Sequence, residues 1–221
     1  MINIAIDGPA GAGKSTIARR VSKQLGFLYV DTGAMFRATA LYFLRNKLDV
    51  NDQQVLEENI SKINVTLTFV DGEQQVLLNG ENVGAYIRTE EVGKVSAAIA
   101  SNPHIRKYLL ETQQQIAKEN NVVMDGRDIG TCVLPNAQVK IYLTASSKER
   151  ARRRYEELVN KGVECDINAI EEDIIKRDHS DMNREIAPLK QAKDAVFLDS
   201  SDMAIDEVTD FIIKQYKKKE I

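Results

Sequence analysis

Eight residues near the start of the chain, Gly8-Pro9-Ala10-Gly11-Ala12-Gly13-Lys14-Ser15, follow the pattern G-x-x-x-x-G-K-[ST]. Small residues let successive backbone N–H groups curl around a phosphate chain, and the N-terminus of a following helix adds partial positive charge. Lys14 can reach the β- and γ-phosphates of a nucleotide, and the Ser15 hydroxyl can ligate Mg²⁺. A glycine-rich turn can match such a pattern by chance, so context decides. Here an apolar run, residues 2–6, leads into the loop, and residues 16–25 continue with helical character. That strand–loop–helix order predicts an α/β fold holding a nucleoside triphosphate at Gly8, Ala10, Gly11, Ala12, Gly13, Lys14, Ser15 and Thr16.

Further apolar runs at residues 27–30, 122–125, Val139–Thr144 and 196–198 are mostly continuous and alternate with helical patterns. Such strands argue for a parallel sheet covered on both faces. Asn102-Pro103 reads as an N-cap with proline at the first helical position. Ser146 or Ser147 caps a helix beginning near Lys148, which Gly162 ends. Residues 64–86 depart from this pattern. Val65-Thr66-Leu67-Thr68-Phe69-Val70 alternates, and Asp71-Gly72 and Asn79-Gly80 are turn signals, which together predict a small antiparallel insert. Lys217-Lys218-Lys219-Glu220 reads as a solvated helix end. The 221 residues, 43 % of them apolar, suffice for one domain with such an insert.

A net charge of −3 argues against a general nucleic-acid binder, so the cations that meet an anionic ligand must be gathered locally. No apolar run reaches membrane-spanning length, and the first residues are too short for a signal peptide, so a cytoplasmic protein is expected. Cys132 and Cys165 lack the spacing of a zinc site or a disulfide framework. Asn46-Lys47-Leu48-Asp49 matches the guanine-reading N-K-x-D tetrad on paper. It ends the helical stretch 34–46, however, and no D-x-x-G switch accompanies it, so it reads as a chance match.

The arginines carry the next signal. Asp31-Thr32-Gly33 leads into a helix bearing Arg37, and Asp125-Gly126-Arg127-Asp128 follows another strand. In open α/β sheets, ligands bind beyond the carboxyl ends of the strands. Arg177, Asp181 and Arg184 are spaced to share one face of a helix, as are Arg150 and Arg154. Taken singly, each helix pair reads as a surface salt bridge. Their recurrence in successive strand-to-helix regions fits a second phosphorylated substrate, whose charge near −2 needs cationic forks opposite the phosphate loop.

These segments, with Ile87-Arg88-Thr89-Glu90-Glu91-Val92 and the residues Ala187-Pro188-Leu189, make the whole chain resemble bacterial cytidylate kinases. The resemblance implies a P-loop kinase fold: a five-stranded parallel sheet flanked by helices, a nucleotide-binding insert holding a small antiparallel sheet, and a short lid. One domain is implied, with a core at about 1–32, 104–148 and 170–221, an insert at about 33–103 and a lid at about 149–169. It implies ATP with Mg²⁺ as donor and CMP or dCMP as acceptor; a monomer without an obligatory protein partner is expected. Arg37, Arg127 and Arg184 would hold the acceptor phosphate, with Thr32 and Arg88 nearby, and Arg177 and Asp181 would lie by the ribose. Arg106 and Asp128 would meet the cytosine edge. That edge offers an N4 amino donor to a carboxylate, whereas uracil presents an acceptor there. Ser96 would be the base contact that the family's serine makes, although it stands ten residues before Arg106 where the family has nine and Ala97 takes that place. Lys14, Arg127, Arg150 and Arg154 would stabilise charge on the transferring group, the last two from the lid.

Overall fold

The five apolar runs become the strands β1 (Asn3–Asp7), β2 (Leu28–Asp31), β6 (Val122–Gly126), β7 (Val139–Thr144) and β8 (Val196–Asp199). They pair into one sheet in the order β2-β6-β1-β7-β8, every pairing parallel. The computed structural model describes residues 1–70 and 73–219. Four strands run slightly past their apolar stretches: Asp7 pairs with Gly126, Asp31 with Asp125, and Asp199 with Thr144. The ladder thus carries four acids to the carboxyl edge of the sheet, where an open α/β fold places its ligands.

Successive residues of β1 point to opposite faces, as a strand requires. Ile4 and Ile6 pack with Val21 of α1 (Lys14–Leu25) and Ile212 of α8 (Ile205–Lys217). Ala5 packs with Ala117 of α5 (Pro103–Glu119) on the other face. Asn102 caps α5 by accepting the N–H groups of His104 and Ile105, each at 3.0 Å.

Between β2 and α5 lies the insert: α2 (Thr32–Arg45), α3 (Gln53–Ile60), β3 (Val65–Val70), β4 (Glu73–Leu78), β5 (Glu81–Asn82) and α4 (Glu90–Ile99). The alternation of β3 turns Val65 onto an apolar cluster of the insert's own, built on Met35, Phe43, Val76, Leu78, Ile87 and Ile99, with α5 contributing Ile105 and Leu109. Asn79 and Gly80 both take positive φ, 50° and 86°, as the expected turn demands. The turn expected at Asp71-Gly72, and Glu220 of the C-terminal charge run, lie outside the described residues. Asn46-Lys47-Leu48-Asp49 is the end of a helix. Lys47 takes φ 52° and the Leu48 N–H returns to the Phe43 carbonyl at 3.0 Å, closing α2.

After β7 come α6 (Ser147–Asn160) and α7 (Ile167–Asn183). Ser146 is the cap of α6, accepting the Glu149 N–H at 3.2 Å, and Gly162 at φ 73° follows its end. Arg184 does not extend the helical face of Arg177 and Asp181: α7 stops at Asn183, and Arg184 is its extended C-cap. The chain turns there because Ala187 takes φ 48° and the Leu189 N–H returns to the Asp181 carbonyl at 2.7 Å. Among the described residues, no helix is long and apolar enough to cross a membrane.

Candidate active site

The phosphate loop joins β1 to α1 beneath β7. A Cβ at Gly8 would stand 1.9 Å from the Leu143 carbonyl oxygen, so any larger residue would force the loop off the sheet. Gly13 caps α1 at φ 83°, a conformation that L side chains rarely adopt. Lys14 is buried and donates from Nζ to the Pro9 carbonyl at 2.7 Å, folding back along its own loop. Burial, and after it the nearby Arg127 cation, pull its pKa well below the usual lysine range.

A depressed lysine leaves a measurable trace. In the free protein above neutral pH, part of the Lys14 population is uncharged, and a triphosphate placed beside it restores the charged form. Nucleotide binding is therefore expected to take up protons above neutral pH. Calorimetry in two buffers of different ionisation enthalpy measures this, and the uptake should vanish in Lys14→Met. A wild-type value of zero would contradict it.

Beside Lys14, the Ser15 hydroxyl donates to Oδ2 of Asp125 at 3.0 Å, and the Tyr29 hydroxyl donates to Oδ1 at 2.9 Å. Burial, followed by the neighbouring Asp31 charge, raises the Asp125 pKa. A hydroxyl and a carboxylate side by side are hard oxygen donors of the kind Mg²⁺ prefers. Asp125 stands in the quoted motif, but only the pairing of β6 between β1 and β2 reveals that its carboxylate meets Ser15.

The loop's other wall is α6. Arg150, 5 % exposed, donates from Nε to the Ala145 carbonyl at 2.9 Å and from Nη1 to the Ala10 carbonyl of the loop at 3.0 Å. The same guanidinium forms a two-pronged pair with Asp178 of α7, at 3.1 and 2.6 Å. Arg154, one turn further out, pairs instead with Glu157 at 2.7 Å and is half exposed. Arg153 is the residue that sequence reasoning missed. It donates to the Ser200 carbonyl at 2.8 Å, and its guanidinium lies 3.8 Å from where a Cβ of Gly13 would stand.

Across the cleft, Asp31 caps α2 through the Ala34 N–H at 2.9 Å. Its Oδ2 accepts from both Arg37 and Arg88 at 3.3 Å. Its backbone N–H donates to Oε1 of Gln74, 2.8 Å away on the insert sheet. Thr32 donates to the Asp125 carbonyl at 2.8 Å. Arg127 pairs with Asp181 at 2.7 Å, and Arg177 faces the same cluster from α7. Desolvation, and after it the Arg127 charge, lower the Arg177 pKa. Asp128 is 6 % exposed and bonds Arg106, with Arg184 at 3.6 Å. Burial raises its pKa even though both arginines oppose the shift. Arg106 also donates to the Ala100 carbonyl at 3.0 Å and lies over the Phe36 ring. Ser96 sits half-buried within α4. Among the described residues, two buried side-chain donors make no hydrogen bond, Nε of Arg37 and Nη2 of Arg184 (the latter 3.6 Å from the Asp128 carboxylate), and an anion would satisfy both.

The donor loop and the arginine cluster thus face one another across the carboxyl edge of one sheet. Neither histidine stands in them: His104 pairs with Glu57 on the insert's surface, and the His179 carbonyl accepts from Asn183.

The family profile described as cytidylate kinase matches residues 4–218 of this chain. Relatives named cytidylate kinase include one from Caldicellulosiruptor bescii, 46 % identical over 98 % of this chain and 96 % of its own. Another, from Listeria innocua, is 48 % identical over 99 % and 97 %. Among solved structures, a shikimate kinase from Bacteroides thetaiotaomicron superposes with a TM-score of 0.50 at 12 % identity, over 98 % of both chains, a likeness of fold. The phosphate loop, the acid-bearing sheet edge and these matches along nearly the full length agree: the chain belongs to the cytidylate kinase family.

Proposed function

We propose that this chain transfers the γ-phosphoryl group of ATP to CMP, and also to dCMP, giving ADP and CDP or dCDP. The observation that carries the reading is the buried Asp128–Arg106 pair, set in a cluster of arginines opposite a phosphate loop. A carboxylate accepts the N4 amino group of cytosine, and a guanidinium donates to O2 and N3. Arg37, Arg127 and Arg184, with Arg88 nearby, meet the acceptor phosphate. Arg37 and Arg88 leave Asp31 to do so, and the unpaired Nε of Arg37 gains its partner. Arg177 and Asp181 take the ribose side, and Thr32 and Ser96 complete the acceptor site.

The acceptor oxygen is already anionic, so the transfer needs no strong general base, and the protein's task is positioning and charge stabilisation. Lys14 holds the β- and γ-phosphates. Arg127, Arg150 and Arg154 act on the charge of the transferring group, and closure brings the exposed Arg154 inward from α6. Ser15 and Asp125 would hold Mg²⁺, which would supply charge neutralisation to the nucleotide's phosphates. Closure of the insert (about 33–103) and the lid (about 149–169) over both nucleotides excludes water. A monomer acting in the cytoplasm completes this reading.

ADP formation from Mg²⁺·ATP against CMP, dCMP, UMP, AMP, GMP and shikimate tests the proposal. Strong turnover with CMP and dCMP, and much less with UMP, is the expected pattern. A flat panel, or a preference for UMP or shikimate, would overturn it.

A further inference from the structure

β1 carries an apolar run between two polar ends, Asn3 and Asp7. Ile4, Ala5 and Ile6 are fully buried, and the residue after them, just before the phosphate loop, is Asp7 at 4 % exposure. Its two carboxylate oxygens are both engaged by backbone far away in sequence. Oδ1 accepts the Ile129 N–H and Oδ2 the Gly130 N–H, each at 2.7 Å. These donors open a single π-helical turn, Ile129–Val133, which begins directly after Arg127 and Asp128. The first N–H groups of any helical turn have no acceptor within it. The internal bonds of this turn, Cys132 and Val133 to the Asp128 carbonyl and Leu134 to that of Ile129, leave those two donors to Asp7.

The chain leaves β6 at Gly126, and Asp128 takes φ −142° and ψ 26°, neither strand nor helix. The direction in which Arg127 and Asp128 point thus depends on how the following turn is anchored, and Asp7 is the anchor. We propose that Asp7 is a positioning residue for phosphoryl transfer: its carboxylate fixes the turn that aims Arg127 and Asp128, and ties it to the strand that delivers the phosphate loop. This rests on the acceptor roles proposed above for those two residues. Burial pushes the Asp7 pKa up to about 6 even though both N–H bonds oppose the shift, so this acid is held at an electrostatic cost that an apolar residue would avoid. Lys14 from α1, Asp128 from the turn and Tyr142 from β7 are the charged and titratable groups acting on it, and the Lys140 side chain packs against the same turn at Gly130.

Asp7→Asn keeps the size and one carbonyl acceptor but turns an amide NH₂ toward the second backbone donor, so one of the two bonds is lost. The expected result is a KM for CMP raised about tenfold, the scale of one lost hydrogen bond to a charged group, with the KM for ATP changed less than about twofold. The CMP-over-UMP ratio of kcat/KM should fall by about threefold or more. Gly130→Ala presses on the same contact from the other side, since its Cβ would stand 3.2 Å from Oδ2 of Asp7, and it should give the same split. A protein that only melts at lower temperature, with the CMP KM and the CMP:UMP ratio unchanged, would overturn the proposal. Equal rises in both KM values would overturn it too. Wild-type protein without activity toward CMP would instead remove the functional reading on which it rests.

Discussion

Replacing Lys14 by Ala is expected to lower turnover of ATP and CMP by at least about a thousandfold, the scale on which a charged group aimed at a transferring phosphoryl acts. The ammonium is held at the mouth of its own loop by the Pro9 carbonyl, so it reaches an incoming phosphate chain by a short swing rather than a refolding of the segment. The variant should stay folded. α1 keeps its contacts with the sheet through Ile17, Ala18 and Val21, and the loss removes a buried cation whose charged form the site disfavours. Steady-state assay with CMP and a thermal melt together test this. Turnover within tenfold of wild type would take Lys14 out of the chemistry, whereas loss of the folded baseline would show that its buried contacts matter more than its charge.

The second large effect is on selectivity. Asp128→Ala is expected to reduce the CMP-over-UMP ratio of kcat/KM by about 10- to 100-fold, the value of a hydrogen bond to a charged acceptor. Two consequences separate here. Discrimination falls because nothing remains to accept the cytosine amino group or to repel the uracil carbonyl. Stability falls because Arg106 and Arg184 are left buried without their carboxylate, at a cost of about 3–5 kcal/mol for a broken buried pair. Asp128→Asn isolates the first effect. Its amide can turn either way, so it should admit UMP while the protein stays nearer to wild-type stability. An unchanged ratio in both variants would remove Asp128 from base reading.

The sheet and the loop were legible because local rules decide them. Short continuous apolar runs bounded by turn and helix signals favour buried strands, and Gly8 and Gly13 stand where close approach and positive φ admit little else. The insert sheet showed itself through the alternation from Val65 to Val70. The π-turn after Asp128 had no such signal, because what holds it is a carboxylate about 120 residues earlier. Arg153 lay hidden for a different reason. It is the middle of three consecutive arginines, and only the start of α6 at Ser147 decides which of them faces the loop. Arg150 and Arg154 do share a helical face, as their spacing requires. One turn of rise nevertheless separates a side chain locked between Ala10 and Asp178 from one paired at the surface with Glu157. Arg184 reached the cluster by a route that spacing cannot foresee, from an extended cap beyond the end of α7.

The insert's apolar cluster is completed by Ile105 and Leu109 of α5, a core helix, and Leu67 of β3 also packs on the cluster beneath the parallel sheet. Closure of the insert would therefore pivot about this apolar joint, while polar contacts such as Gln74 to Asp31 would break and re-form at the cleft. Hinged pieces of that kind move on the microsecond-to-millisecond scale. The pace of the catalytic cycle would then be set by how quickly the jaw reopens to let product go, and hardly at all by the bond that changes hands inside it.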